Sequence, residues 1–135
     1  MHLSDFTTWE QAEHAEQYVL FPNNIGNYLT LDETSLSQGE LYTIITNKEA
    51  KGRKGSIVAI IKGTESTTIN SILAKIPQNK RNKVKEITLD MANSMQKVAS
   101  SSFPKAIQVT DRFHVQKLAY EAVQQLTQLA KSVRF

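Results

Sequence analysis

Apolar positions recur with two different periods along this chain, and the switches between periods mark its elements. Trp9, Ala12, Ala15 and Val19 repeat at helical spacing, and Thr7 or Thr8 can cap them, so the pattern predicts a helix over 7–20. Phe21-Pro22-Asn23-Asn24-Ile25-Gly26 breaks it. Three runs rich in β-branched and aromatic residues follow, at 28–32, 41–46 and 56–61. Ser37-Gln38-Gly39 reads as a turn, and 47–55 as a polar, lysine-rich loop. Such connections are too short for crossover helices, so the three strands are expected to form an antiparallel meander.

The second half alternates helix and strand. Ile69, Ile72, Leu73 and Ile76 share one face of a helix over 68–76, with Pro77 just past its end. A basic connector over 79–85 leads to a fourth strand at 86–89. Met91, Met95, Val98 and Ala99 mark a helix that starts at Asp90 and stops at Phe103-Pro104. A fifth strand spans 107–110, and Asp111 opens a long helix whose stripe is Val115, Leu118, Ala122, Leu126 and Leu129. The order β-β-β-α-β-α-β-α predicts an α/β, RNase H-like domain. Residues 1–26 read as a helical lead-in and 27–135 as the core.

Composition narrows the chemistry. The length of 135 residues suits one domain, and 40% hydrophobic residues can fill a core. With no cysteine, disulfides, zinc–thiolate sites and cysteine nucleophiles are excluded. No signal-peptide pattern and no apolar run of membrane-spanning length occur, so a cytoplasmic, membrane-free protein is expected. The net charge of +3 is compatible with nucleic acid without selecting for it. Walker, Rossmann, HExxH and GxSxG patterns are missing from the sequence.

The most informative residues are aspartates. Asp32, Asp90 and Asp111 each end an apolar run, and the only other aspartate is Asp5. Carboxylates at strand ends sit where α/β folds place ligands. In the expected topology the first and fourth strands are neighbours, so Asp32 and Asp90 can share divalent cations. Their oxygens suit Mg²⁺ or Mn²⁺. Asp90 and Asp111 also precede helices and can simply cap them; no helix follows Asp32. His114, one turn into the last helix, is either a metal, phosphate or proton-transfer group or an exposed polar residue. His2, His14 and Glu121 read as surface residues. Basic residues cluster at Lys48, Lys51, Arg53 and Lys54, and again at Lys80, Arg81, Lys83 and Lys85. Either cluster can neutralise DNA phosphates or face solvent.

Several segments together resemble the catalytic half of bacterial insertion-sequence transposases of the DDE type. They are Leu31-Asp32-Glu33-Thr34-Ser35, Gly39 to Lys48, Thr88-Leu89-Asp90-Met91-Ala92, Phe103-Pro104-Lys105-Ala106 and Val109-Thr110-Asp111-Arg112-Phe113-His114-Val115-Gln116-Lys117. The resemblance implies Mg²⁺-dependent nicking of transposon ends and joining to target DNA. It makes Asp32 the first carboxylate. Asp90 is preferred as the second, with Asp111 and His114 in support, although Asp111 in its Asp-Arg-Phe-His segment is the alternative. Lys51, Arg53, Lys54, Lys80, Arg81 and Lys83 become candidate DNA contacts. A third carboxylate, glutamate in the family, has no match before Phe135. A split or inactive fragment is therefore expected, with its last-helix stripe exposed and self-association the consequence. A separate end-binding polypeptide fits the same picture. Two other readings stand beside it: a metal-dependent RNase H-like nuclease or resolvase, and a catalytically dead DNA-binding remnant.

Overall fold

The computed structural model describes residues 18–37, 39–51, 53–89, 93–110 and 112–133. Among these, the chain forms one six-stranded sheet and four α-helices. The strands are β1 (Tyr18–Leu20), β2 (Tyr28–Ser37), β3 (Glu40–Asn47), β4 (Ile57–Lys62), β5 (Glu86–Leu89) and β6 (Ile107–Thr110). The helices are α1 (Ser66–Leu73), α2 (Gln78–Arg81), α3 (Asn93–Ser102) and α4 (Arg112–Val133). The sheet order is β1-β4-β3-β2-β5-β6. β1–β4, β4–β3 and β3–β2 pair antiparallel, whereas β2–β5 and β5–β6 pair parallel.

The meander and the later alternation thus appear as the apolar pattern predicts. Three expectations need correction. Residues 18–20 form not the end of a helix but an edge strand on β4, so the sheet begins upstream of residue 27. The rest of that expected helix, and the helix starts at Asp90 and Asp111, lie outside the described residues. β2 does not stop at Asp32; it continues to Ser37 as a ribbon paired only with β3. Its added residues Glu33, Thr34 and Ser35 are polar, and Glu33 and Ser35 are exposed, so no apolar run announces them. Thirdly, the basic connector contains the short helix α2.

Alternation along the strands sorts residues onto two faces. Leu29 and Leu31 of β2, Ile45 of β3, and Ile87 and Leu89 of β5 pack with Ile69 and Leu73 of α1 and with Met95 and Val98 of α3. All are fully or almost fully buried, and each such side chain contributes about 1.5–3 kcal/mol of transfer free energy. On the other face, α4 sets Ala119 and Ala122 against Ile44 and Ile57. Leu118 and Ala122 are therefore buried and Leu126 half-buried, which corrects the expected exposure of these three; the side chains of Val115 and Leu129 lie outside the described residues. β6 lies at the edge, where Ile107 and Val109 are exposed.

The β3–β4 connection is tied to the segment before β2. Asn47 Nδ2 donates to the Asn24 carbonyl at 3.0 Å, and Asn47 Oδ1 accepts from Glu49 N–H at 3.0 Å. Asn24 Nδ2 in turn donates to the Ile57 carbonyl at 2.7 Å. Lys51 closes the Lys48–Ala50 turn in the left-handed region, at φ 52°. A Cβ at Gly26 would lie 2.8 Å from Asn47 Nδ2, so the Asn47 amide would have to shift to admit one. Gly26→Ala is expected to displace the Asn47 amide and lower stability by about 1–2 kcal/mol. Urea unfolding checks this, and an unchanged midpoint would show the clamp to be dispensable.

Candidate functional site

Asp32 is the buried carboxylate of the sheet, 2% exposed on the face that α4 covers. It stands opposite Ile44 of β3. The hydroxyl of Thr34, two residues on and on the same face, donates to Asp32 Oδ2 at 3.1 Å. The preceding rung is also polar. The hydroxyls of Thr30 and Thr46 hydrogen-bond to each other, and Thr88 lies beside Thr30 on β5. All three threonines are buried. Lys48 reaches over this rung, with Nζ 3.3 Å from Thr88 Oγ1 and 3.8 Å from Glu86 Oε1. A buried carboxylate costs free energy that an apolar residue in its place would avoid. Sheet packing alone therefore gives no reason for Asp32.

Asp32 sits where the parallel ladder stops. Leu31 pairs with Leu89, and Leu89 with Thr110, in the last described rung across β2, β5 and β6. The residues that follow these three in the chain are Asp32, Asp90 and Asp111. Asp90 and Asp111 lie outside the described residues, as do His2, His14 and the side chain of His114. Among the described residues, no group of three or more His, Cys, Asp or Glu side chains could hold a metal ion.

The basic residues gather elsewhere. Lys51, Arg53 and Lys54 are exposed on the β3–β4 connection, and Lys83 is exposed after α2. Lys80 Nζ donates to Asn23 Oδ1 at 2.8 Å, beside the Asn24 that braces the hairpin. The two clusters, well separated in sequence, thus flank one turn at the amino ends of β2 and β5. Asp32 lies five residues beyond Asn27, roughly 16 Å along an extended strand. Sequence spacing also did not single out a cleft of about 380 Å³ lined by Lys48, Lys51 and Lys117, with Leu118 and Glu121. Only the packing of α4 beside the hairpin brings Lys117 to the other two. Its sole sequence signal was membership of the Asp-Arg-Phe-His-Val-Gln-Lys segment.

Arg81 is a correction. It is buried rather than phosphate-facing. Its Nε donates to the Ile76 carbonyl, its Nη1 to the Ser102 carbonyl and its Nη2 to Gln78 Oε1, each at 3.0 Å. The guanidinium therefore ties the turn after α1 to the end of α3. Counting charge in a sequence window cannot separate such a clamp from a solvated cation.

Residues 29–133 match the transposase family model DDE_Tnp_ISL3. The chain belongs to this family. The match runs from the first buried leucine of β2 to the last residue of α4, so it covers both faces of the transposase sheet and the position of Asp32. A search of curated proteins gives no match. Membership implies DNA transposition in general, with DNA as the partner. No described helix is long and apolar enough to cross a membrane.

Arg81→Ala strands the Ile76 and Ser102 carbonyls, so it is expected to destabilise the protein by about 1–3 kcal/mol. Thermal unfolding measures this. Unaltered stability would return Arg81 to the surface set.

Proposed function

We propose that this chain carries an RNase H-like DDE core acting on DNA, in which Asp32 and Asp90 would hold Mg²⁺ or Mn²⁺ and Asp111 and His114 support them. The observation that carries the reading is the rung Leu31–Leu89–Thr110, because each of its members is followed in the chain by an aspartate. β2 is also the switch point of the sheet, since its partner on one side is antiparallel and on the other parallel. Ligands in open α/β sheets gather outside the carboxyl ends of strands at such points. The RNase H-like assignment is supported by the run β4-β3-β2-β5-β6, in which β3 alone points the other way.

The donors are carboxylate oxygens, which suit a hard cation. When bound, the cation supplies charge stabilisation at a phosphoryl group. The chain contributes position: β2 fixes Asp32 beneath α4, and the Thr34 hydroxyl orients one of its oxygens. Lys51, Arg53, Lys54, Lys80 and Lys83 supply the cationic surface for DNA phosphates, away from the carboxylates.

Titration with Mg²⁺, followed by NMR, tests the metal reading. Shifts are expected at the carboxyl ends of β2 and β5, lost in Asp32→Asn and in Asp90→Asn and retained in Asp111→Asn. Shifts that survive Asp90→Asn but vanish in Asp111→Asn would exchange the second ligand. No shift at millimolar Mg²⁺ would remove the metal site. The basic surface has its own readout. Each lost phosphate contact lowers the salt dependence of log K by about 0.9. Lys51→Gln with Lys54→Gln should therefore reduce the slope by about 2. An unchanged slope would exclude the hairpin from the DNA interface.

A further inference from the structure

The β3–β4 connection has a second cleft on its other flank. This slot of about 210 Å³ lies between the hairpin, the turn before β2 and α4. Its lining is mainly apolar, from Phe21, Ile57, Ala122 and Leu126, with Ile57 and Ala122 buried. Arg53 and Lys54, both exposed, contribute cations to the same cleft, and Gln125 adds a carboxamide. One wall is fixed in advance, because Asn24 is held to the Ile57 carbonyl and its own carbonyl is held by Asn47. Gly55 also lines the slot, at φ 85°, and leaves its backbone bare of a side chain there.

We propose that this slot receives one unpaired nucleobase of a DNA strand, with the adjoining phosphates on Arg53 and Lys54. The proposal rests on the reading that this surface meets DNA. Three features select the guest. The volume falls below the roughly 300–1,000 Å³ of pockets for drug-sized ligands, which suits a single planar ring system. An aromatic residue among aliphatic walls favours a flat, weakly polar face, the property every base shares. Arg53 and Lys54, both exposed, favour negative charge next to that face, a combination that neither an aliphatic chain nor inorganic phosphate offers. The slot lies at the hairpin end of the sheet, so the base held there is not the one at the reacting phosphate. It serves as an anchor.

Fluorescence of 2-aminopurine tests this with the full chain and two DNAs of one sequence, one fully paired and one carrying 2-aminopurine as a single unpaired bulge. The bulged DNA is expected to bind about tenfold more tightly at equal salt, a ratio that corresponds to stacking of one base. Phe21→Leu preserves apolar packing and should abolish the preference while leaving affinity for paired DNA unchanged. Lys54→Gln should weaken both DNAs alike. Equal affinity of wild type for the two DNAs, or a preference that persists in Phe21→Leu, overturns the slot while the DNA reading stands. Binding of neither DNA at low salt overturns both. Saturation by deoxyadenosine monophosphate alone at micromolar concentration, with no gain from the bulge, overturns the strand assignment in favour of a free nucleotide.

Discussion

The alternation of β2 governs the rest of the sheet. Leu29 and Leu31 are completely buried toward α1 and α3. A strand period of two then leaves Thr30 and Asp32 no choice but the α4 face. Moving the register by one residue would drive the Asp32 carboxylate into an aliphatic core and bring both leucines onto the polar threonine rung. Neither arrangement is tolerable, since an unpaired buried charge costs several kcal/mol. The same logic aligns β5, whose Ile87 and Leu89 enter the first core while Thr88 joins Thr30. The position of the carboxylate is thus enforced by residues that never touch it.

A second constraint acts at the other end of the sheet. The β3–β4 connection is long, polar and rich in lysine, a composition that by itself would leave it poorly ordered. Asn24 and Asn47 hold it against the segment before β2, through carbonyls and one backbone amide. The close approach is available because Gly26 lacks a Cβ. Lys51 accepts a left-handed conformation at a cost of about 1–2 kcal/mol, which the surrounding hydrogen bonds must offset. The lysines of this loop therefore project from a braced platform, and α4 completes a cleft on either flank of it.

How much of this was legible in the sequence depended on burial. β5 and β6 were read to the residue, because short β-branched runs bounded by polar or proline-containing segments have no competing period. β1 was missed because Val19 also fits the helical spacing of Trp9, Ala12 and Ala15, and a three-residue edge strand is too short to outvote that pattern. The extension of β2 was hidden because its ribbon is polar. The carboxylate at Asp32 was legible, since nothing local explained it. Arg81 was not, because its partners are backbone carbonyls, the local one of Ile76 and that of Ser102, which only the tertiary packing of α3 brings within reach. The convergence of Lys117 with Lys48 and Lys51 is equally a product of packing.

The separation between the acidic and basic ends has an electrostatic consequence. At physiological ionic strength exposed charges are screened over about 8 Å. Lys48 reaches the rung two residues before Asp32, whereas the exposed Lys51, Arg53 and Lys54 lie on the connection beyond the amino end of β2, which is roughly 16 Å from Asp32, about two such lengths. Those three would therefore attract a polyanion without neutralising the carboxylate that a cation would need. Were they adjacent, lysine ammonium groups would compete with the metal for Asp32 and weaken the site. Each strand of a DNA duplex carries one phosphate per about 3.4 Å of helix axis, so the same 16 Å corresponds to about five base pairs along that axis. DNA gripped at the hairpin would thus be held several nucleotides from the carboxylate end, where its negative charge and that of Asp32 repel each other. The proposed anchor would supply the attraction that this repulsion removes, and distance along one strand would keep the two proposed functions from cancelling.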